Sequence, residues 1–316
     1  KYARKAVDMF GGLHHIYELT EDCINQFDDF IDSIDQPIAD GGAFCTYLLC
    51  QHASKDVKVI LSGAGADELF AGYNRHQAFH FYLKNLSWMR RILPLLKTVG
   101  KALPTGISHP WRKQCRLVAK FTNDLHKDPE TTYDHFRSLG TKNLYRDQGS
   151  FGVQKNSSAA SYDEWFQHAL LTDRQSYLVS DLLAMSDVMS MRWGLEMRMP
   201  YLDENIYEAI RSENAGYLIQ KGKKWILKEL LTTYGGKIFA QRSKSGFGLP
   251  LGEWLRNGPW RDLLSIIEKP DARIYQYLDF ASTQLIIRQH IKRQADKSQE
   301  IWALIVLEKW LLKKGF

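Results

Sequence analysis

The chain has 316 residues, 44% of them hydrophobic and 25% charged, which are the proportions of a globular protein with one large or two ordinary domains. Its net charge of +6 suits an anionic small molecule, but Lys and Arg are spread along the chain, without the basic run that marks a nucleic-acid partner. Cys23, Cys45, Cys50 and Cys115 form neither a Cys-x-x-Cys pair nor a zinc spacing and read as buried thiols of a reducing, cytoplasmic compartment; no apolar run approaches the ~18 residues that a membrane span needs.

Tyr2 to Phe10 carries apolar residues at helical spacing, with Gly11-Gly12 as its stop. Lys1 rather than Met precedes this helix, so the chain reads as a piece of a longer one. His14 to Leu19 reads as a strand and Glu21 to about Ile34 as an amphipathic helix. Pro37 to Gly42 is a loop in which Asp40 can cap an apolar helix over Ala43 to Ala53. Next comes Val57-Lys58-Val59-Ile60-Leu61, a β-branched run of the kind found in buried parallel strands. This alternation of strand and helix implies a parallel sheet with helices on its faces.

The segment after Leu61, Ser62-Gly63-Ala64-Gly65-Ala66-Asp67-Glu68, is the most informative in the chain. Small residues at a strand-to-helix turn let backbone N–H groups approach a ligand, and phosphates bind at the carboxyl ends of such strands. Acidic side chains beside a phosphate suit a Mg²⁺ held between carboxylate and phosphate. The same two acids would also favour a helix N-terminus through its dipole.

From about His76 to the end the periodicity is helical, with Pro94, Pro104 and Pro110 as expected breaks. Ser138 to Ser161, rich in small polar residues, reads as a loop. From Asp173 to Met199 the pattern is helical and Pro200 would end it, placing Asp187, Arg192, Glu196 and Arg198 in a partly buried setting where a carboxylate can be tuned as a base or serve in structural ion pairs. Lys221-Gly222-Lys223-Lys224 could grip a polyphosphate or simply begin a helix. Gln241 to Trp254 is a glycine-rich loop carrying Arg242 and Lys244, alternatively an ordinary loop docked by Phe247 and Trp254. Ile301 to Leu311 reads as a helix packed into the body.

Taken in this order, the blocks resemble the synthetase domain of glutamine-dependent asparagine synthetases. The resemblance rests on Ser62-Gly63-x-Gly65-x-Asp67-Glu68-x-Phe70-x-Gly72-Tyr73, Met191-x₄-Glu196-x-Arg198-x-Pro200-x-Leu202-Asp203, Lys224-Trp225-Ile226-Leu227-Lys228 and Arg242-x-Lys244-x-Gly246-Phe247-Gly248-x-Pro250-x₂-Glu253-Trp254. It implies an α/β fold: a partial parallel sheet of adenine-nucleotide α-hydrolase type in residues 1–75, followed by a large helical portion in residues 76–316. The implied activity is ATP-dependent amide formation through an acyl-adenylate, with aspartate or another small carboxylate as acceptor and ammonia from an N-terminal glutaminase domain; a homodimer is compatible with it. Motif matching implies contacts to ATP from Ser62, Gly63, Gly65 and Lys244, Mg²⁺ at Asp67, and catalytic roles for Lys224 and Glu196.

Two departures bear on that expectation. Ala64 stands between two glycines where Glu or Tyr is usual in the family and its β-lactam-forming relatives, which keeps open a different carboxylate substrate. The family's Ser-Gly-Gly-x-Asp-Ser pyrophosphate loop has no counterpart in the 316 residues, which keeps open a non-catalytic nucleotide-binding module.

Overall fold

The computed structural model describes residues 2–103, 111–139, 144–145, 161–242 and 246–315. The Tyr2–Phe10 helix forms as its periodicity dictates, and the chain leaves it through Gly11, whose φ of +77° suits glycine. His14–Leu19 is not a strand. No backbone partner lies beside it among the described residues, and it runs past the end of the next long helix, with the Tyr17 ring 3.6 Å from that of His52. The expected helix from Glu21 divides into a 3₁₀ stretch, Glu21–Gln26, and an α-helix, Phe27–Ser33. Asp40 does cap the following helix, accepting a 2.7 Å hydrogen bond from the Gly42 N–H, so that the helix spans Gly41–Ala53.

Strand β1, Val59–Leu61, pairs in parallel with β2, Glu196–Arg198, with Val59 opposite Glu196 and Leu61 opposite Arg198. This corrects the helix expected through Met199: the helix stops at Met191, and Gly194, at φ +64°, turns the chain into the sheet. The four charged residues of this stretch, Asp187, Arg192, Glu196 and Arg198, are exposed rather than partly buried. Met, Leu and Trp around them signal burial only if the helix continues, and here it does not.

Two aromatic-rich cores and a smaller cluster of Leu69, Phe70 and Ile210 hold the remainder. The larger joins Phe27, Phe30, Phe44 and Tyr47 to Trp254, Trp260 and Trp302. The Ser298–Lys314 helix supplies Trp302, and its buried Glu308 accepts hydrogen bonds from the backbone N–H groups of Arg273 (3.1 Å) and Ile274 (2.9 Å). The second core gathers Phe79 and Tyr82 with Tyr133, Phe136 and Phe166. One continuous helical run connects them: Tyr162–Thr172 is α, Asp173–Leu183 is π and Ala184–Met191 is α again. Phe166 at its start belongs to the second core, and Met185 and Met189 near its end to the first.

Pro94 does not break its helix, Leu86–Ala102. It sits on the exposed side, where the carbonyl that loses its N–H partner can be hydrated. Pro104, Pro110 and most of the expected 138–161 loop lie outside the described residues. No helix among the described residues is long and apolar enough to cross a membrane.

Parallel strands are normally covered on both faces, yet Leu61 is 74% exposed, and Val57 and Val59 line up with it as exposed apolar residues. A 316-residue chain prepared alone is expected to self-associate through this stripe. Leu61→Lys should lower its light-scattering mass at a given concentration while leaving the melting temperature nearly unchanged; equal masses for the two proteins would sink this expectation.

Candidate active site

The chain turns sharply after β1. The Ser62 N–H continues the sheet, donating to the Arg198 carbonyl at 2.8 Å, so this amide is already engaged. The Ser62 hydroxyl accepts from the Ala64 N–H at 3.3 Å. Gly63 has open space where a side chain would stand. Gly65 is left-handed at φ +89°, and a Cβ there would overlap the Leu202 side chain, so conformation and packing both demand glycine. A short helix, Ala66–Leu69, begins at Gly65 with Asp67 and Glu68 in its first turn.

Asp67 and Lys224, distant in sequence, meet here: Lys224 Nζ lies 3.0 Å from Asp67 Oδ2, with both side chains largely covered. Three backbone features enforce this approach. The Lys224 N–H donates to the Phe70 carbonyl at 3.2 Å, and Lys224 adopts φ +52° at the start of the Trp225–Gly235 helix. The Gly72 N–H donates to the Asp67 carbonyl at 2.8 Å. Gly72 itself is the spacer, because a Cβ there would overlap both Asp67 Oδ1 and Lys224 Cε. The lysine cluster therefore divides. Lys224 points to Asp67, Lys223 donates to Asn74, and Lys221 turns out to Glu229 at 2.8 Å.

Glu196 does not join them. It is exposed on the sheet and accepts a 2.8 Å hydrogen bond from Arg198 Nε, which together with the guanidinium charge holds its carboxyl below the usual range. Lys244 lies outside the described residues. Of the loop around it, Arg242 stacks over the Tyr2 ring at 5.8 Å and Trp254 is buried, whereas Phe247 is exposed and does not dock.

Behind Asp67 is a polar cluster that sequence reasoning missed. Glu68 is almost wholly buried; Tyr73 donates its hydroxyl proton to one carboxylate oxygen, and the other has no hydrogen-bond partner among the described residues. Burial pushes the Glu68 carboxyl up, favouring its neutral form. The Arg75 guanidinium lies between the Tyr73 and Tyr177 rings, at 3.8 and 4.7 Å, and Arg75 Nε donates to Asp173 Oδ2 at 2.8 Å. His76 Nε2 (2.8 Å) and the Tyr133 hydroxyl (2.6 Å) also bond this oxygen. Burial alone would raise the Asp173 carboxyl, but the His76 hydrogen bond, the Arg75 charge and the Tyr133 hydroxyl hold it at about 2. His76 is pushed toward its neutral form by complete burial, so Arg75 supplies the compensating charge.

On the same π-helical segment Asp181 has the opposite fate: burial, aided by the charge of Asp40, raises it to about 6 despite Arg75. A readable signal existed. Asp181 is flanked by Val179, Leu182 and Leu183, and an acid among apolar neighbours on a helix is a candidate for burial.

Asp67 is the one carboxylate that faces the lysine, and among the described residues no three His, Cys, Asp or Glu side chains converge on a metal position. That donor set fits Mg²⁺ bound jointly by one carboxylate and phosphate oxygens, not a metal held by protein alone.

The two raised and lowered acids give opposite pH signatures. Asp181 binds its proton more tightly folded than unfolded, so it costs stability as pH rises from about 4 to 6; Asp173, held near 2, contributes stability above about 4 that is lost as pH falls toward 2. Asp181→Asn is therefore expected to stabilise the protein at pH 7, with the gain vanishing by pH 4, in denaturant melts across this range. A pH-independent gain would contradict the assignment.

The asparagine synthetase [glutamine-hydrolyzing] 1 of Bacillus subtilis (strain 168) is 25% identical over 303 residues, covering 92% of this chain and 46% of that protein. A putative asparagine synthetase [glutamine-hydrolyzing] of Mycobacterium tuberculosis (strain ATCC 25618 / H37Rv) is 24% identical over 310 residues, 95% of this chain and 46% of its own length. The amidase chyE of Penicillium rubens is 22% identical over 322 residues, 92% of this chain and 47% of its own. The chain thus spans about half the length of these curated relatives. With the asparagine synthase family model matching residues 1–312, the chain belongs to that family.

Proposed function

We propose that this chain is the catalytic part of a cytoplasmic, ATP-dependent amide-forming ligase that converts aspartate, or another carboxylate, to its amide with ammonia from a glutaminase domain. Residues 1–75 would present the nucleotide turn, on a sheet of the adenine-nucleotide α-hydrolase type, and the helical residues 76–316 would close the site. One observation carries the reading: the Asp67–Lys224 pair, 3.0 Å apart, at the carboxyl end of two parallel strands, where nucleotides bind in open α/β sheets.

In the first step a substrate carboxylate oxygen bonds to the α-phosphorus of ATP and the bond to pyrophosphate breaks. Lys224 would neutralise the charge that develops on the leaving pyrophosphate. Asp67 would hold Mg²⁺, which when bound would screen phosphate charge. Gly63, with open space around it, lets the nucleotide approach the backbone. In the second step ammonia nitrogen bonds to the acyl carbon, AMP leaves with the electron pair of the broken C–O bond, and nitrogen loses a proton. Ala64 offers no group to receive that proton, and Glu196 is exposed and already tied to Arg198, which holds its carboxyl below the usual range.

The test is ATP-dependent pyrophosphate release by the full-length protein with aspartate and a panel of other acids. Lys224→Ala and Asp67→Asn are each expected to lower the rate by about 100- to 1,000-fold, while Glu196→Gln changes it only a few-fold. Failure of the wild-type protein with every acid, or full activity of Lys224→Ala, would refute the reading.

A further inference from the structure

Beside the Asp67–Lys224 site lies a second feature that the amide-forming reading does not use. A cavity of about 770 Å³ opens between the Asn74–Lys84 and Arg112–Asp124 helices. Its walls are apolar: Ala78 and Phe81 on one helix, Leu117, Val118 and Phe121 on the other, with Phe136 behind. Phe81, Leu117 and Val118 are about half exposed, an unusual state for three apolar side chains that face one hollow. Small-molecule sites typically have this volume and this mostly apolar lining, with a few polar groups to orient the ligand.

The polar groups on its lining are Tyr73, Asn74, Arg75, Gln77 and Lys120, the first three at the start of the Asn74–Lys84 helix. Tyr73, Asn74 and Arg75 line the cavity, and all three also belong to the site already described. Tyr73 bonds Glu68, Asn74 accepts from Lys223, and Arg75 bonds Asp173. The lining carries Arg75 and Lys120 and no acidic side chain, although Arg75 is paired with Asp173 and the Lys120 charge acts on Asp124 one turn along its helix. The hollow is therefore apolar in body with cations and no acid on its walls, which suits an anion with an apolar body. Free aspartate, small and polar throughout, would bury nothing against Phe81, Leu117 or Phe121. Ala64 adds an independent hint, since the sequence departs from the family pattern there, in the turn after β1.

We infer that this cavity is the acyl-substrate subsite and that the acid activated by this protein is a carboxylate with a bulky aromatic or aliphatic body, not free aspartate. The substrate's apolar portion lies between the two helices, and its carboxylate emerges past Tyr73 and Asn74 toward Lys224. This substrate assignment rests on the amide-forming reading; the cavity's preference for an apolar anion does not.

Binding is measured first, by calorimetry of the full-length protein with 2-naphthoate as probe. The expected result is a saturable site, weakened about tenfold or more by Val118→Trp, which fills the hollow, and by Leu117→Trp as a second filling variant. Lys120→Glu should weaken 2-naphthoate several-fold and leave the neutral 2-naphthamide unaffected. Circular dichroism checks that each variant is folded. No saturable binding, or equal binding to wild type and both tryptophan variants, would overturn the inference. Pyrophosphate release is then compared for 2-naphthoate, 3-phenylpropionate and aspartate. Preference for the aryl acids, lost in Val118→Trp, supports the substrate assignment, and turnover of aspartate alone overturns it. Cavity-dependent binding with no pyrophosphate from any acid would leave the apolar-anion site standing and remove the ligase reading instead.

Discussion

Everything at the candidate site depends on one close approach, that of the Lys224 loop to the turn after β1. Two backbone hydrogen bonds, Lys224 N–H to Phe70 and Gly72 N–H to Asp67, fix where the lysine can stand, and the ion pair then follows from geometry. The pair alone would be a weak reason for such an arrangement. A largely covered lysine and carboxylate gain little beyond the cost of their desolvation and ordering. The backbone around it is also unfavourable: Ala71 and Lys224 both sit at positive φ, at 49° and 52°. Such conformations persist where the surrounding structure over-determines them, and their concentration at an ion pair of modest worth is what a preorganised charge site looks like.

The polar cluster behind the pair shows how one helical segment holds two aspartates in opposite protonation states. Asp173 lies at the start of the π segment, where Arg75, His76 and Tyr133 converge on one oxygen; Asp181, two turns on, meets another acid, Asp40, instead. Hydrogen bonds to the charged form win over burial in the first case and are missing in the second. The wider turn of a π segment helps to bring Tyr177 and Asp181 round to the side where Tyr73 and Arg75 already stand. This segment also bridges the two aromatic cores, so the acids are held by packing on both sides and not by their own contacts alone.

What could be read from the sequence was local, and what could not be read was pairing. Asp40 before Gly41-Gly42 and the small-residue turn after Leu61 are decided within a few residues by capping and by backbone freedom, and both are visible in the order of side chains. The strand Glu196–Arg198 was hidden because its three residues carry two charges, and only the β1 edge beside them makes them a strand. His14–Leu19 misled for the mirror-image reason: its alternation is strand-like, but no described strand lies beside it. At the site, motif matching drew Asp67, Lys224 and Glu196 together as a set. Folding separates Glu196 from the other two because the sheet register pairs it with Val59, two positions before Leu61 and the turn. Arg75, Asp173 and Asp181 were unreadable as a group, since 98 residues separate the first two and nothing but the fold makes them neighbours.

The glycines separate what the fold needs from what the chemistry needs. At Gly65 the demand is structural, because the positive φ and the Leu202 side chain would exclude a Cβ in any protein built on this turn. At Gly72 the excluded atoms are Asp67 Oδ1 and Lys224 Cε, so glycine there protects a charge contact and not the packing of a core. At Gly63 no described residue occupies the space a side chain would fill, and φ is not in the left-handed region, so neither backbone conformation nor packing demands glycine there. On the proposed reading that open space, at the end of the strand that leads to Asp67 and Lys224, is what lets a nucleotide reach the backbone.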